Sequence, residues 1–399
     1  MSRTLSEIAQ QLSTPKKVKK TVPEKTKEVE ETRPVPKVQL IYAFNGTGKT
    51  RLSRDFKQLI ASKVNGGEGD NEVEQSESSR NKILYYNAFT EDLFYWDNDL
   101  EEDAEPKLKV QPNSYTNWLL TLLKDLGQDG NIARYFQRYA NDKLTPNFNT
   151  DFTEVTFSME RGNDERFAHI KLSKGEESNF IWSVFYTLLD QVVTILNVAD
   201  LDARETHAFD QLEYVFIDDP VSSLDDNHLI ELAVNLAGLL KSSQSDLKFI
   251  ITTHSPIFYN VLFNELKHKT CYMLEKFEDG TFSLIEKAGD SNKSFSYHLH
   301  LKQTIEQAIA DNSVERYHFT LLRNLYEKTA SFLGYPKWSE LLPDDKQLYL
   351  SRIINFTSHS TLSNEAVAEP TPAEKATVKL LLDHLKNNCG FWQQEQKNG

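Results

Sequence analysis

Near-continuous apolar runs alternate with long polar stretches over the first two thirds of the chain. VQLIYAF (38–44) reads as a short strand running into a glycine loop, and KILYYNAF (82–89) as another strand. YVFIDD (214–219) and KFIITTH (248–254) lack the polar alternation of a half-exposed strand, as expected for a parallel sheet covered on both faces. SYTNWLLTLLKDLG (114–127) and NIARYFQRYAND (131–142) space their apolar residues three and four apart, which predicts amphipathic helices. From about residue 300 the helical period takes over, in LKQTIEQAIADNSVERYHFTLLRNLYEKTASFL (301–333) and PAEKATVKLLLDHLKNN (372–388). The pattern predicts an α/β engine over 38–265 and an all-α tail over 266–399, preceded by an arm over 1–37.

The polar stretches refine this picture. Residues 14–37 hold eight basic and four acidic residues among prolines, and read as an extended, flexible basic tether. GGEGDNEVEQSESSRN (66–81) reads as a flexible polar loop. The 399 residues suggest two or three domains, and 39% hydrophobic content suffices for a core. No run of about 18 apolar residues is present, so no membrane span is expected. The N-terminal MSRTLSEIAQQLSTPKK has no apolar signal region. The two cysteines, Cys271 and Cys389, have no zinc-ligand spacing and fit a reduced cytoplasm. A net charge of −14 argues against a general nucleic-acid coat, so any RNA contact should be local.

Candidate chemistry begins at AFNGTGKT (43–50). A strand that ends in such a loop turns the backbone amides of Asn45, Gly46, Thr47 and Gly48 toward a phosphate chain. Lys49 then pairs with the β- and γ-phosphates, and Thr50 holds Mg2+ through its hydroxyl. The pattern usually opens on glycine; here Ala43 stands in that place. Asp218 ends an apolar strand where a carboxylate can join Thr50 in the magnesium shell. Asp219 follows, placed to orient an attacking water, and His254 ends a further strand within reach of a γ-phosphate.

With LSKGEE (172–177) and SSLDD (222–226), these motifs resemble, in order, the ATP-binding cassette (ABC) head. The resemblance covers roughly Val38–Ile257 and implies a mixed sheet with a helical subdomain. It also implies that Ser173 and Gly175 reach a nucleotide held by the other protomer, hence at least a homodimer. Two departures stand out. Asp219 replaces the family's usual glutamate, which predicts slow turnover. No glutamine loop is evident, with Asn87 or Glu91 as substitutes. ATP and GTP both remain open as the nucleotide.

The tail carries a second set of groups. Arg323 and Glu327 lie four residues apart on a helix, hence on one face, and His359 sits among hydroxyls. An arginine, a glutamate and a histidine supply the cation, acid and base that RNA cleavage by its own 2′-hydroxyl needs. No carboxylate cluster for two metals is present, so a metal-free nuclease site is expected.

Taken whole, the chain resembles the PrrC family of anticodon nucleases. IYAFNGTGKTRLS, YYNAFTEDLF, LSKGEESNF, FIDDPVSSLDDNH, TTHSP and the C-terminal residues carry that resemblance. It implies Arg323, Glu327 and His359 as a catalytic triad. The Arg352–His359 spacing is also similar to that of the dimeric, all-helical HEPN ribonucleases, making Arg352 a further candidate. The family implies tRNA-Lys as substrate, cut 5′ to the wobble base. It implies silencing by a type I restriction–modification complex, release by a phage anti-restriction peptide, nucleotide hydrolysis during activation, and dTTP holding the active form. It places anticodon recognition in 286–300, where the residue types themselves offer Asp290 to accept from a cationic wobble uridine, Lys293 to hold phosphate, and Tyr297 and His298 to stack on bases. Two other readings compete: a regulatory ATPase whose tail only binds a partner, and a repair-type ATPase acting on DNA ends.

Overall fold

The computed structural model describes residues 2–21, 28–62, 81–87, 93–97, 105–140, 142–160, 166–220, 226–266, 270–277, 279–287, 297–358 and 369–391. The chain forms two units, Met1–Ser291 and Asn292–Gly399. In chain order the first contains α1 (Leu5–Ser13), β1 (Lys16–Thr21), β2 (Glu28–Arg33), β3 (Val38–Tyr42), α2 (Lys49–Ser62), β4 (Ile83–Tyr86), β5 (Phe94–Asp97) and β6 (Lys107–Val110). There follow α3 (Ser114–Asp125), α4 (Asp129–Tyr139), β7 (Leu144–Phe148), β8 (Glu154–Glu160), β9 (Arg166–Phe167) and α5 (Lys174–Leu196). The unit closes with β10 (Tyr214–Asp218), α6 (Asp226–Ser242), β11 (Lys248–Thr253), α7 (Pro256–Glu265), β12 (Thr270–Lys276) and β13 (Phe282–Lys287).

The main sheet has the order β13-β12-β3-β11-β10-β4. Its strands pair in parallel from β12 to β4, and only β13 is antiparallel. Every residue of β3 and β10 is buried, which accounts for their unbroken apolar sequence. A second, antiparallel sheet runs β5-β6-β8-β7, with β9 on β8. The long α5 is apolar nearly all round because it is a core helix: Phe180, Trp182, Phe185 and Leu188 are all buried. By length and composition α5 could cross a membrane, but 83% of its apolar window is buried in this unit.

Two boundaries differ from the sequence reading. Residues 1–37 are not an arm throughout, since α1 sets Leu5, Ile8, Ala9 and Leu12 into the same core cluster as Leu52, Phe56 and Ile60 of α2. The spacing of those four residues is one helical face, and Thr4 and Glu7 cap it reciprocally. Gln39 on β3 donates to the Leu12 carbonyl at 2.9 Å, and Arg3 exchanges backbone hydrogen bonds with Phe282 at 2.8 Å each way. Residues 16–21 and 28–33 pair as antiparallel strands, and 22–27 lie outside the described residues. The other boundary moves from 265 to 291/292, because β12 lies against the P-loop strand β3 and β13 completes the sheet edge. Most of the polar loop expected over 66–81 lies outside the described residues.

The second unit holds α8 (Tyr297–Ala310), α9 (Arg316–Leu333), α10 (Lys346–Ser358) and α11 (Pro372–Asn388). Its described residues contain no strand. Leu301, Ile305, Phe319, Leu322, Tyr326, Ile353, Leu381 and Leu385 share one core, where the Tyr326 hydroxyl donates to the Leu381 carbonyl at 2.8 Å.

Candidate functional site

The P-loop leaves β3 at its carboxyl end, where open parallel sheets gather their ligands. Gly46 and Gly48 have φ of +78° and +105°, so each needs glycine. Ala43 does not: its φ is not positive, and its N–H is tied to the Thr253 carbonyl at 3.0 Å. The substitution of the usual first glycine therefore costs the loop nothing in backbone strain.

Around this loop the structure gathers Lys49, Thr50, Asp218, Asp219 and His254. The β10–β11 register sets Asp218 opposite Thr252. Asp218 is 1% exposed, and it accepts from Thr50 Oγ1 at 2.7 Å and from Thr252 Oγ1. Burial raises its carboxyl above the usual range, and the two hydroxyls offset part of that rise. Asp219 turns the other way, in the left-handed conformation at φ +53°, which aspartate tolerates better than most residues. Its carboxylate lies 2.6 Å from His254 Nδ1 and 3.3 Å from Lys49 Nζ. Burial alone would raise it, but the His254 hydrogen bond and the Lys49 charge outweigh burial and hold it low. Lys49 Nζ also lies 3.2 Å from Asn45 Oδ1.

Thr50 and Asp218 form the hard-oxygen pair that a hydrated Mg2+ accepts, so this donor set fits that ion. Sequence reasoning missed Thr252, although a hydroxyl-bearing TT pair just before His254 at a strand end was its signal. It also missed how Asn87 is tied in. Asn87 Nδ2 donates at 2.8 Å to the Tyr85 hydroxyl, which in turn meets Ser53 Oγ of α2 at 2.6 Å. Asn87 is thus linked to the P-loop helix, while Glu91 and residues 222–225 of SSLDD lie outside the described residues.

Ser173 caps α5, in a reciprocal box with Glu176, and Gly175 occupies the first turn. Ser173 is exposed, with its Oγ 2.7 Å from Glu176 Oε2. The Glu176 amide donates back to Ser173 Oγ at 3.3 Å, and Glu176 and Glu177 set two carboxylates in the first turn.

In the second unit Arg323 Nε donates to Glu327 Oε1 at 2.7 Å across one turn of α9, with each side chain about one-third exposed. The Arg323 guanidinium carbon lies 6.0 Å from the Trp338 ring centroid. The expected third member, His359, lies outside the described residues, as do Asp290 and Lys293. Tyr297 and His298 open α8 and Arg352 lies on α10, but their side chains are outside the description. The structure thus brings together two of the three expected tail residues.

No family model matches the chain. A curated Escherichia coli protein described as "Anticodon nuclease" is 90% identical over 399 residues, covering all of this chain and all of that protein. Among solved structures, the SMC head bound to the C-winged helix domain of ScpA is matched with a TM-score of 0.37 at 10% identity, over 67% of this chain and 95% of that one. The SMC head domain from Thermotoga maritima is matched with a TM-score of 0.28 at 12% identity, over 63% and 91%. At such scores the likeness carries no weight, and the P-loop ATPase fold of the first unit rests on its own strand order and loop geometry.

Proposed function

The chain belongs to the PrrC anticodon nuclease family, and from that premise we propose that it is a nucleotide-gated endoribonuclease cutting tRNA-Lys 5′ to the wobble base. The wobble ribose 2′-oxygen attacks the adjacent phosphorus as its proton leaves to a base. The bond to the 5′-oxygen breaks, and that oxygen takes a proton from an acid. The products are a 2′,3′-cyclic phosphate and a 5′-hydroxyl. Arg323 offsets the charge of the pentacoordinate phosphorane, and Glu327 and His359 divide the acid and base roles. The observation that carries this reading is the Arg323–Glu327 pair, bonded at 2.7 Å yet still in contact with water. Anticodon bases are read by Asp290, Lys293, Tyr297 and His298.

The first unit acts as the gate. It binds ATP or GTP on Asn45 to Thr50, with Thr50 and Asp218 holding Mg2+, which neutralises phosphate charge when bound. Asp219 orients the attacking water and His254 senses the γ-phosphate. Ser173 and Gly175 complete the partner protomer's site, so the working form is at least a homodimer. dTTP holds the active state, a type I restriction–modification complex silences it, and a phage anti-restriction peptide releases it in the cytoplasm as antiphage defence.

The test is direct. Purified chain preincubated with nucleotide and Mg2+, then given total tRNA and excess EDTA, should produce 5′-hydroxyl ends at the tRNA-Lys wobble position. His359→Ala should lose that cleavage while nucleotide hydrolysis survives. Cleavage of a substrate with a 2′-deoxy wobble ribose would overturn the chemistry.

A further inference from the structure

α9 ends at Gly334, whose φ of +79° reverses the chain. The Tyr335 N–H then bonds the Ala330 carbonyl at 2.9 Å, folding the next residues back along the last turns of α9. The result is an open cleft of about 490 Å3 walled by Glu327, Ser331, Tyr335, Lys337 and Trp338. Its volume lies within the roughly 300–1,000 Å3 of small-ligand clefts. Trp338 is fixed at the inner wall, edge-on to the buried Tyr326 at 6.2 Å and facing the Arg323 guanidinium. Tyr335 is 44% exposed, and Lys337 is exposed.

We infer that this cleft is a nucleobase subsite, in which an unpaired base next to the cleaved phosphate stacks on Tyr335 and Lys337 holds the flanking phosphate. The inference rests on the nuclease reading above and adds the groups that seat the RNA. Two aromatic rings and a lysine are the means by which proteins hold splayed single-stranded bases. Glu327 is both a wall of the cleft and the partner of Arg323, so a base seated there puts its ribose phosphate beside the candidate reacting groups. Trp338 acts through Arg323, as a positioning residue.

The test uses full-length His359→Ala protein and an anticodon stem-loop RNA carrying 2-aminopurine, placed in turn on either side of the cleavage site. Quenching is expected at one of the two positions. Tyr335→Ala should abolish it and weaken binding about 5- to 150-fold, the span expected for one lost stacking contact. Tyr335→Phe should restore both. Lys337→Gln should weaken binding and flatten its salt dependence. With His359 intact, Tyr335→Ala should raise KM more than it lowers kcat. Quenching and KM that ignore Tyr335, in a chain that still cuts tRNA, would overturn the subsite and leave the nuclease reading standing. Tyr335-dependent quenching in His359→Ala, alongside a His359-intact chain that cuts no tRNA, would sink the nuclease reading and leave base binding by the cleft alone. Failure of the RNA to bind would also overturn it.

Discussion

Replacing Ile8 by alanine tests whether the first thirteen residues belong to the head. Ile8 is 0% exposed and shares a cluster with Leu52, Phe56, Ile60, Tyr272 and Phe282, drawn from the P-loop helix and strands β12 and β13. Removing its outer carbons costs the lost transfer energy plus a cavity, about 2–5 kcal/mol for such truncations. At the low end of the roughly 2–4 °C per kcal/mol seen in domains of 150–250 residues, the head should unfold about 4–10 °C earlier. Thermal unfolding of the full chain by circular dichroism reads this directly, and the head transition is the one that added nucleotide raises. Gln10→Ala, on the exposed face of the same helix, is the control and should stay within about 0.5 kcal/mol. Indistinguishable transitions for the two variants would refute the core placement of α1 and restore the reading of a loose arm.

The two adjacent aspartates should respond with opposite signs. Asp218 carries a raised pKa from burial, so its ionised form costs stability at neutral pH, and Asp218→Asn should raise the melting temperature while abolishing nucleotide hydrolysis. Asp219 is held low despite burial by His254 and Lys49, so its stabilisation is present above the ordinary value of 3.8 and lost as pH falls below it. Asp219→Asn should therefore destabilise by on the order of 2 kcal/mol at pH 7, with the gap to wild type closing below about pH 4. In the second unit, burial lowers the pKa of His318, and its Nδ1 accepts from the Glu315 N–H at 2.9 Å. Its contribution is complete above the ordinary 6.5 and declines as pH falls below it, so that unit should melt earlier at pH 5.5 than at pH 7.5, and less so in His318→Asn. Gly48→Ala should abolish nucleotide binding in a titration with a fluorescent analogue, because φ of +105° strains any L residue there.

The head was legible wherever one local rule decided the outcome. Strands β3, β10 and β11 are fully or almost fully buried runs, and burial on both faces writes itself into the sequence as an absence of alternation. Lys49, Thr50, Asp218, Asp219 and His254 were legible as one group because their motifs fall where β3, β10 and β11 end and the P-loop helix begins, and the structure brings them together. What escaped was set by tertiary pairing. LSEIAQQL is short, and the basic run that follows it disguises a core helix as the start of a tail. β12 and β13 look like any amphipathic segment until β12 is placed against β3, a partner more than two hundred residues earlier. The Arg323–Glu327 pair was readable from its spacing, but Trp338 was not, because a chain reversal at Gly334 brings it to Arg323.

The P-loop shows why the head needs both ends of its sequence. A Cβ at Gly48 would lie 3.4 Å from the Phe282 ring and 3.6 Å from the Leu5 side chain. The P-loop turn is thus backed by α1 on one side and β13 on the other, and Arg3 ties those two together through backbone hydrogen bonds. A head cut at residue 38 or at 265 would keep Lys49, Thr50, Asp218, Asp219 and His254 and lose the packing behind the turn. Preorganised amides depend on that packing, because a loop free to relax would spend binding energy on ordering itself. The functional boundary of the nucleotide unit is therefore set by what supports Gly48, not by the span of its motifs.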